Sequence, residues 1–292
     1  MNRREILKSG VLGAASIMVA DNIINYLDAE INTTPLKSKI NHSVCHWSFN
    51  HISLEELCIL VGKLGFNAID LVGPTDWPLL KKYGVDSSMC NGAEISLTKG
   101  WNDVQYHDLL IKNYTESIDL VSKAGYKNLI CFSGNRDGKD DESGMNTCVK
   151  GLKKIMSLAE KKGITIQMEL FNSKIDHKDY MADKSSWGIE LCKRLDSPNF
   201  KLLFDIYHMQ INEGDIIRSI RDNHQYFGHY HTAGVPGRHE IDDTQELYYP
   251  AIMKEIVATG YQGYVAQEFI TTATTNEGKE SALNNAIRIC DV

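Results

Sequence analysis

The chain has no excess of positive charge: 31 Lys and Arg stand against 38 Asp and Glu, a formal net charge of −7. Proteins that neutralise nucleic-acid phosphates or an anionic membrane surface carry a basic face, so neither is an expected partner. The seven cysteines, Cys45, Cys58, Cys90, Cys131, Cys148, Cys192 and Cys290, include no C-x-x-C pair. Several sit inside apolar runs where cysteine packs as a small hydrophobe, and they read as mostly core thiols, the odd count leaving room for one reactive thiol. No Gly-rich phosphate turn follows the first expected strand, which argues against a dinucleotide-binding doubly wound sheet.

Among its 292 residues, 42% are apolar and 24% charged, the balance of a soluble globular protein with room for one large α/β domain. The first twenty residues, MNRREILKSGVLGAASIMVA, carry Arg3-Arg4 and Lys8 ahead of a small-residue apolar run from Gly10 to Ala20. That run is too short and too weakly apolar for a stable membrane anchor, and the segment resembles a twin-arginine export signal. The expected location is therefore periplasmic or exported, the alternative being a disordered basic terminus on a cytoplasmic protein. Residues 1–39 are expected to be signal and polar linker, and residues 40–292 one folded domain.

From Ile40 onward, short apolar or β-branched runs alternate with stretches of helical period. Strands are expected at His42–Ser48, Ala68–Val72, Val85–Cys90, Asn128–Phe132, Ile164–Leu170, Lys201–Asp205, Tyr226–Thr232 and Gly263–Phe269. Helices are expected at Ser53–Lys63, Asp76–Tyr83, Tyr106–Ala124, Cys148–Lys162, Ser185–Leu195, Asp215–Asp222, Glu246–Ala258 and Glu277–Ile289. The returns KLGF, KAGY, KKGI and ATGY each place glycine just past the last periodic residue, where a left-handed helix cap needs it. Eight βα units of this kind predict a (β/α)8 barrel, the TIM barrel of the α/β class.

Barrel enzymes carry their working residues at the C-terminal ends of strands. Four consecutive expected strands finish with a potential metal ligand: Glu169 in IQMEL, Asp205 in LLFDIYH, His231 in GHYHTAG and Glu268 in YVAQEF. One such residue has an ordinary explanation as a solvated or salt-bridged strand end. Four in succession do not, because ionised carboxylates taken from water without partners are costly. Three carboxylates and one imidazole suit Mn2+, Mg2+, Co2+ or Zn2+ in an open coordination sphere better than a closed structural zinc. His208 and Arg238 flank the set and are suited to binding substrate oxygens. His229, two residues before His231, reads as structural or supporting.

At these residues the sequence resembles the xylose-isomerase-like barrel superfamily, and most closely the hydroxypyruvate isomerase family. The matching stretches are MELFNSKIDH, FKLLFDIYHMQ, GHYHTAGVPGRHE and GYQGYVAQEF. The resemblance implies a divalent metal held by Glu169, Asp205, His231 and Glu268, with Glu169 and Glu268 as the acid/base pair and His208 and Arg238 on substrate oxygens. It implies an aldose-ketose type isomerase that interconverts hydroxypyruvate and tartronate semialdehyde, or acts on a similar small keto acid or sugar. Bacterial hydroxypyruvate isomerases typically have Gln where this chain has His231, and the related ketose 3-epimerases have His, so a 3-epimerase of the tagatose/psicose type is the alternative. A non-catalytic exported sugar-binding barrel is a weaker reading. An abasic-site endonuclease of this fold needs more histidines and a basic surface. A homo-oligomer is compatible with the sequence.

Overall fold

A strand covered on both faces reads as a nearly continuous apolar run, and FKLLFD at Phe200–Asp205 is buried at every position except Lys201. In the computed structural model, which describes residues 34–292, eight such strands run parallel and close on themselves in chain order. They are β1 Asn41–Cys45, β2 Ala68–Val72, β3 Asp86–Cys90, β4 Asn128–Cys131, β5 Thr165–Glu169, β6 Phe200–Asp205, β7 Phe227–Thr232 and β8 Tyr264–Gln267. β1 pairs with β8 to complete the barrel. The expected export signal and most of its linker lie outside the described residues, and no helix among the described residues is long and apolar enough to cross a membrane.

The helices form the outer layer: α1 Leu54–Leu64, α2 Trp77–Lys82, α3 His107–Ala124, α4 Asp141–Lys162, α5 Ser185–Leu195, α6 Ile206–Asn212, α7 Ile216–Asn223, α8 Tyr249–Ala258 and α9 Asn276–Cys290. Local chemistry sets their ends. Ser53 and Glu56 form a reciprocal capping box at the start of α1, and Gly65, Gly125 and Gly163 close α1, α3 and α4 in the left-handed conformation. The ATGY return differs: Thr259 occupies the cap of α8, with left-handed Gly260 one residue beyond.

Three expectations need correction. β1 stops at Cys45, and residues through Phe49 turn into a 3-10 helix whose Ser48 hydroxyl donates to Cys45 O. α4 begins at Asp141 rather than Cys148, because Asp140 caps it by accepting from Ser143 N at 2.8 Å. Helix α6 was not anticipated: Asp205 ends β6 and at once caps α6, accepting from His208 N at 3.0 Å. All seven cysteines are free and buried, as expected of core thiols.

The segment between β3 and α3 is pinned to the end of β4 by Trp101 N→Phe132 O and Asn102 N→Ser133 O. Gly100 makes this approach possible, since a Cβ there would overlap Phe132 O, Ser133 C and Gly134 N, all backbone atoms that cannot move singly. Gly100→Ala is expected to destabilise the fold by about 3 kcal/mol, a fall of roughly 5–10 °C in Tm. Gly62→Ala, in α1 with nothing within 4 Å of its Cβ position, is the control and should hold or slightly raise Tm. Circular dichroism melts of the two variants decide; equal Tm values would refute the close approach.

Candidate functional site

The ladder brings the four strand-end residues together. Asp205 pairs with His231 across β6 and β7, and Glu268, the first residue past β8, continues the sheet by donating its N–H to Thr232 O at 2.9 Å. Glu169 closes β5. One ligand atom from each of Glu169, Asp205, His231 and Glu268 lies within 4.8 Å of every other, and all four residues are buried. His231 Nδ1 stands 3.1 Å from Glu169 Oε1, 2.9 Å from Glu268 Oε2 and 4.0 Å from Asp205 Oδ2.

Three carboxylates so close in a dry interior cannot all ionise cheaply. Burial, reinforced by the neighbouring Glu268, pushes Glu169 up to about 7. Burial likewise pushes Asp205 up to about 8, despite Arg238. Burial acts on Glu268 in the same sense but is outweighed by Arg238 and His231, which hold it well below the usual carboxylate range. His231 is displaced upward because the surrounding acids outweigh its burial. A divalent cation would relieve this crowding: the donor set offers hard oxygens and one imidazole nitrogen around a common point, and it fits such an ion.

Behind His231 lies a carboxylate that the strand-end pattern did not single out. Asp70 Oδ1 is 3.0 Å from His231 Nε2, and Asp70 Oδ2 accepts from Ser88 Oγ, itself 2.6 Å from Ser43 Oγ. His229 Nε2 stands 2.9 Å from the same Oδ2, at ion-pair distance but without hydrogen-bond geometry, which gives His229 a supporting place. Burial raises Asp70 less than His229 and His231 lower it, so it stays ionised. An anion at Nε2 keeps a ring proton on that side, so that Nδ1 is the nitrogen whose lone pair a bound cation would meet. Cys45 completes this rear group, its thiol 3.6 Å from Asp70 Oδ1 and kept protonated by burial.

Arg238 reaches the site from the VPGRHE loop, where its own φ is 60°. It donates to Glu268 Oε2 and lies 3.7 Å from Asp205 Oδ2. Its guanidinium centre sits 5.2 Å over the Trp47 ring and 5.5 Å over the Tyr207 ring. Trp47 also donates its indole N–H to Glu268 Oε1 at 2.8 Å, so both oxygens of Glu268 are held. His208 is fully buried on α6. Asn172 accepts backbone N–H bonds from Ile175 and Asp176 through Oδ1, which aims its Nδ2 at His208 Nδ1, 2.7 Å away. The ring proton of His208 therefore sits on Nε2, which has no hydrogen-bond partner among the described residues and lies 3.7 Å from Asp205 Oδ2. A buried donor left open beside the acids is a ready partner for a ligand oxygen.

A cleft of about 560 Å3 opens onto Glu169, Glu268 and Arg238, its walls including Trp47, Phe132 and Phe171. Glu94 and His177 line it as well, and neither stands at a strand end. A hollow of the same size at the opposite end of the barrel, lined by Asn41, Lys127 and Gln262 among others, meets none of the clustered acids.

The sequence matches a family model described as xylose isomerase-like TIM barrel over residues 77–287. It is 33% identical over 132 residues to a 2-oxo-tetronate isomerase of Cupriavidus necator, 45% of this chain and 50% of that protein. It is 32% identical over 135 residues to a Danio rerio protein provisionally named hydroxypyruvate isomerase, 46% of this chain and 49% of that protein. The matches thus span about half the length of these relatives. Among solved structures, an AP endonuclease of family 2 from Brucella melitensis superposes with a TM-score of 0.73 over 84% of this chain and 97% of that one, at 23% identity. That likeness is one of fold.

Proposed function

The chain belongs to the xylose isomerase-like TIM barrel family, and from that premise we propose that it is an isomerase moving a proton next to the carbonyl of a small keto acid or sugar. The observation that carries this reading is the pair Glu169 and Glu268. They come from different strands, converge on His231 Nδ1 at 3.1 and 2.9 Å, and are displaced in opposite directions, Glu169 up to about 7 and Glu268 well down. Carboxyl groups pushed apart in this way are suited to be acid and base of one reaction.

Glu169, Asp205, His231 and Glu268 would hold a divalent ion of the Mn2+, Mg2+, Co2+ or Zn2+ class, which when bound supplies a Lewis acid for the substrate's carbonyl oxygen. Glu268, ionised and fixed by Trp47 and Arg238, takes the proton from the carbon beside the carbonyl. Glu169, having taken a proton from water, delivers it to the neighbouring carbon while the substrate's hydroxyl proton passes to the former carbonyl oxygen. The His208 Nε2–H steadies that oxygen. Both glutamates then exchange a proton with water to reset. Hydroxypyruvate and tartronate semialdehyde are one substrate pair of this type.

A second reading rests on the two glutamates reaching the site from separate strands, with His231 between them. Proton removal by one and return to the same carbon by the other would invert that centre, the action of a ketose 3-epimerase. Proton NMR in deuterated water, with Mn2+ restored to chelated protein and either hydroxypyruvate or a ketohexose added, tests both. Conversion with deuterium at the reacting carbon is the expected result. Neither conversion nor exchange on any substrate would overturn the assignment.

Metal binding itself is checked by melting. Because the four ligands come from separate strands, the ion should favour the folded state, adding about 2.7 kcal/mol at a hundredfold excess over Kd and raising Tm by roughly 5–10 °C. Equal Tm values in chelator and in excess Mn2+ would count against the ligand set.

A further inference from the structure

The cleft is poor in cations. Among the described residues its lining holds three carboxylates, Glu94, Glu169 and Glu268, against one guanidinium, Arg238. Arg238 is already committed: it donates to Glu268, lies 3.7 Å from Asp205, and has aromatic rings of Trp47 and Tyr207 against it. Among the described residues no lysine lines the cleft, and His177 is pushed below its ordinary value by burial and by Arg238, so it stays neutral near pH 7. A substrate bearing a carboxylate away from its reacting carbons, beyond the ion's reach, would lose hydration there and find no free positive side chain among the described residues of the lining.

Glu94 is the acid that the proton-transfer chemistry leaves unused. It stands on the loop after β3, half-buried, with Oε2 accepting from Gly92 N at 2.8 Å. Asn113 Nδ2 holds the same loop by donating to Ala93 O at 3.2 Å. Oε1 accepts no hydrogen bond from the described residues and is free to take one. Asn91 and Ser96 line the cleft beside it, adding an amide and a hydroxyl. A cleft of about 560 Å3 falls within the size range of small-molecule sites and leaves most of its space empty around a three-carbon keto acid.

Resting on the proton-transfer reading above, we propose that Glu94 determines specificity: its free carboxylate oxygen accepts a hydrogen bond from a hydroxyl at the substrate's far end, so the site selects a polyhydroxylated chain with an uncharged far end over one that carries a carboxylate there. A hydrogen bond to a charged acceptor discriminates by about 10- to 100-fold, and the same charge repels a carboxylate.

The test uses unreactive probes, so that it does not depend on turnover. Xylitol, a neutral five-carbon polyol, and erythronate, a four-carbon hydroxy acid, are titrated calorimetrically into the full Mn2+-loaded chain. The wild type should bind xylitol at least tenfold more tightly. Glu94→Gln keeps an oxygen for the Gly92 N–H and should lose 10- to 100-fold on xylitol without weakening erythronate, while Glu94→Lys should reverse the order. Preference of the wild type for erythronate overturns the assignment, as does a Glu94→Gln variant whose xylitol affinity stays within twofold. Deuterium exchange by the wild type on hydroxypyruvate and on a ketohexose reports separately on the isomerase reading. Exchange with either substrate but no effect at Glu94 removes only the specificity role. Absence of exchange with both removes the isomerase reading, whatever the polyol titration shows.

Discussion

Glu169→Gln and Glu268→Gln are each expected to lose three or more orders of magnitude in turnover while still binding Mn2+. Glutamine keeps an oxygen donor and the side-chain shape but can neither accept nor release the carbon-bound proton. General acid–base catalysis contributes on the order of 10²–10⁴, and the two groups act on one reaction, so the double variant should be scarcely worse than either single one. Asp205→Asn is the contrast. Its carboxylate has no proton-transfer role, so its main loss should be in metal affinity, with turnover recovering at saturating ion. Calorimetric Mn2+ titrations beside NMR rates in deuterated water separate the cases: the glutamine variants should neither convert substrate nor wash deuterium into it. Near-wild-type turnover by both, on every substrate that the wild type accepts, would end the paired-glutamate mechanism.

The second large effect is expected at Asp70, which touches neither substrate nor ion. Its Oδ1 lies 3.0 Å from His231 Nε2, on the far side of the ring from the three acids. Asp70→Asn replaces a buried anion by an amide that need not favour a proton on Nε2, and so loosens the choice of ring nitrogen turned toward the metal. Changes to the partner behind a metal-binding histidine typically cost 10–100-fold in affinity, and that range is expected for Mn2+ here. Ser88→Ala removes only the hydroxyl that donates to Asp70 and should cost less than tenfold. Titrating His231 by NMR in metal-free protein gives an independent readout: without the anion that favours its protonated form, the Asp70→Asn ring should lose its proton at lower pH. An Asp70→Asn variant with unchanged Mn2+ affinity and an unchanged His231 spectrum would remove Asp70 from the site.

These two sites differ in how readily they are read. Glu169, Asp205 and Glu268 were legible because each interrupts an apolar run close to where a strand must end, and barrels collect chemistry there. Asp70 obeys the same logic, a carboxylate inside AIDLV, but in the middle of a strand, where simple alternation gives no reason to aim it at the others. The cause is local: β2 slips register against β3 on both sides of Asp70, and Leu71 takes a left-handed φ of 57°. A bulge of one residue leaves no mark in a hydrophobic pattern. Glu94 and His177 were missed for a different reason. They lie on loops, where position follows from tertiary contacts such as Asn113 on Ala93 or the stacking of His177 on Phe171 at 4.1 Å. The helix ends at Gly65, Gly125 and Gly163 were readable because a left-handed cap has a residue signature, whereas α6 was hidden by being short and continuous with β6.

Asp205 joins these levels. One oxygen caps α6 through His208 N, at 3.0 Å, and the other faces the acids and Arg238. The same short helix carries His208 and Tyr207, so strand end, ligand, open imidazole donor and the aromatic face under Arg238 form one mechanical piece. Its donors are ordered when the chain folds, and an arriving ligand has few side chains left to immobilise. Recognition on this side of the barrel is therefore lock-like: affinity here follows from preorganisation set by the β6–α6 junction, and a variant that frays the helix start would loosen metal and substrate together.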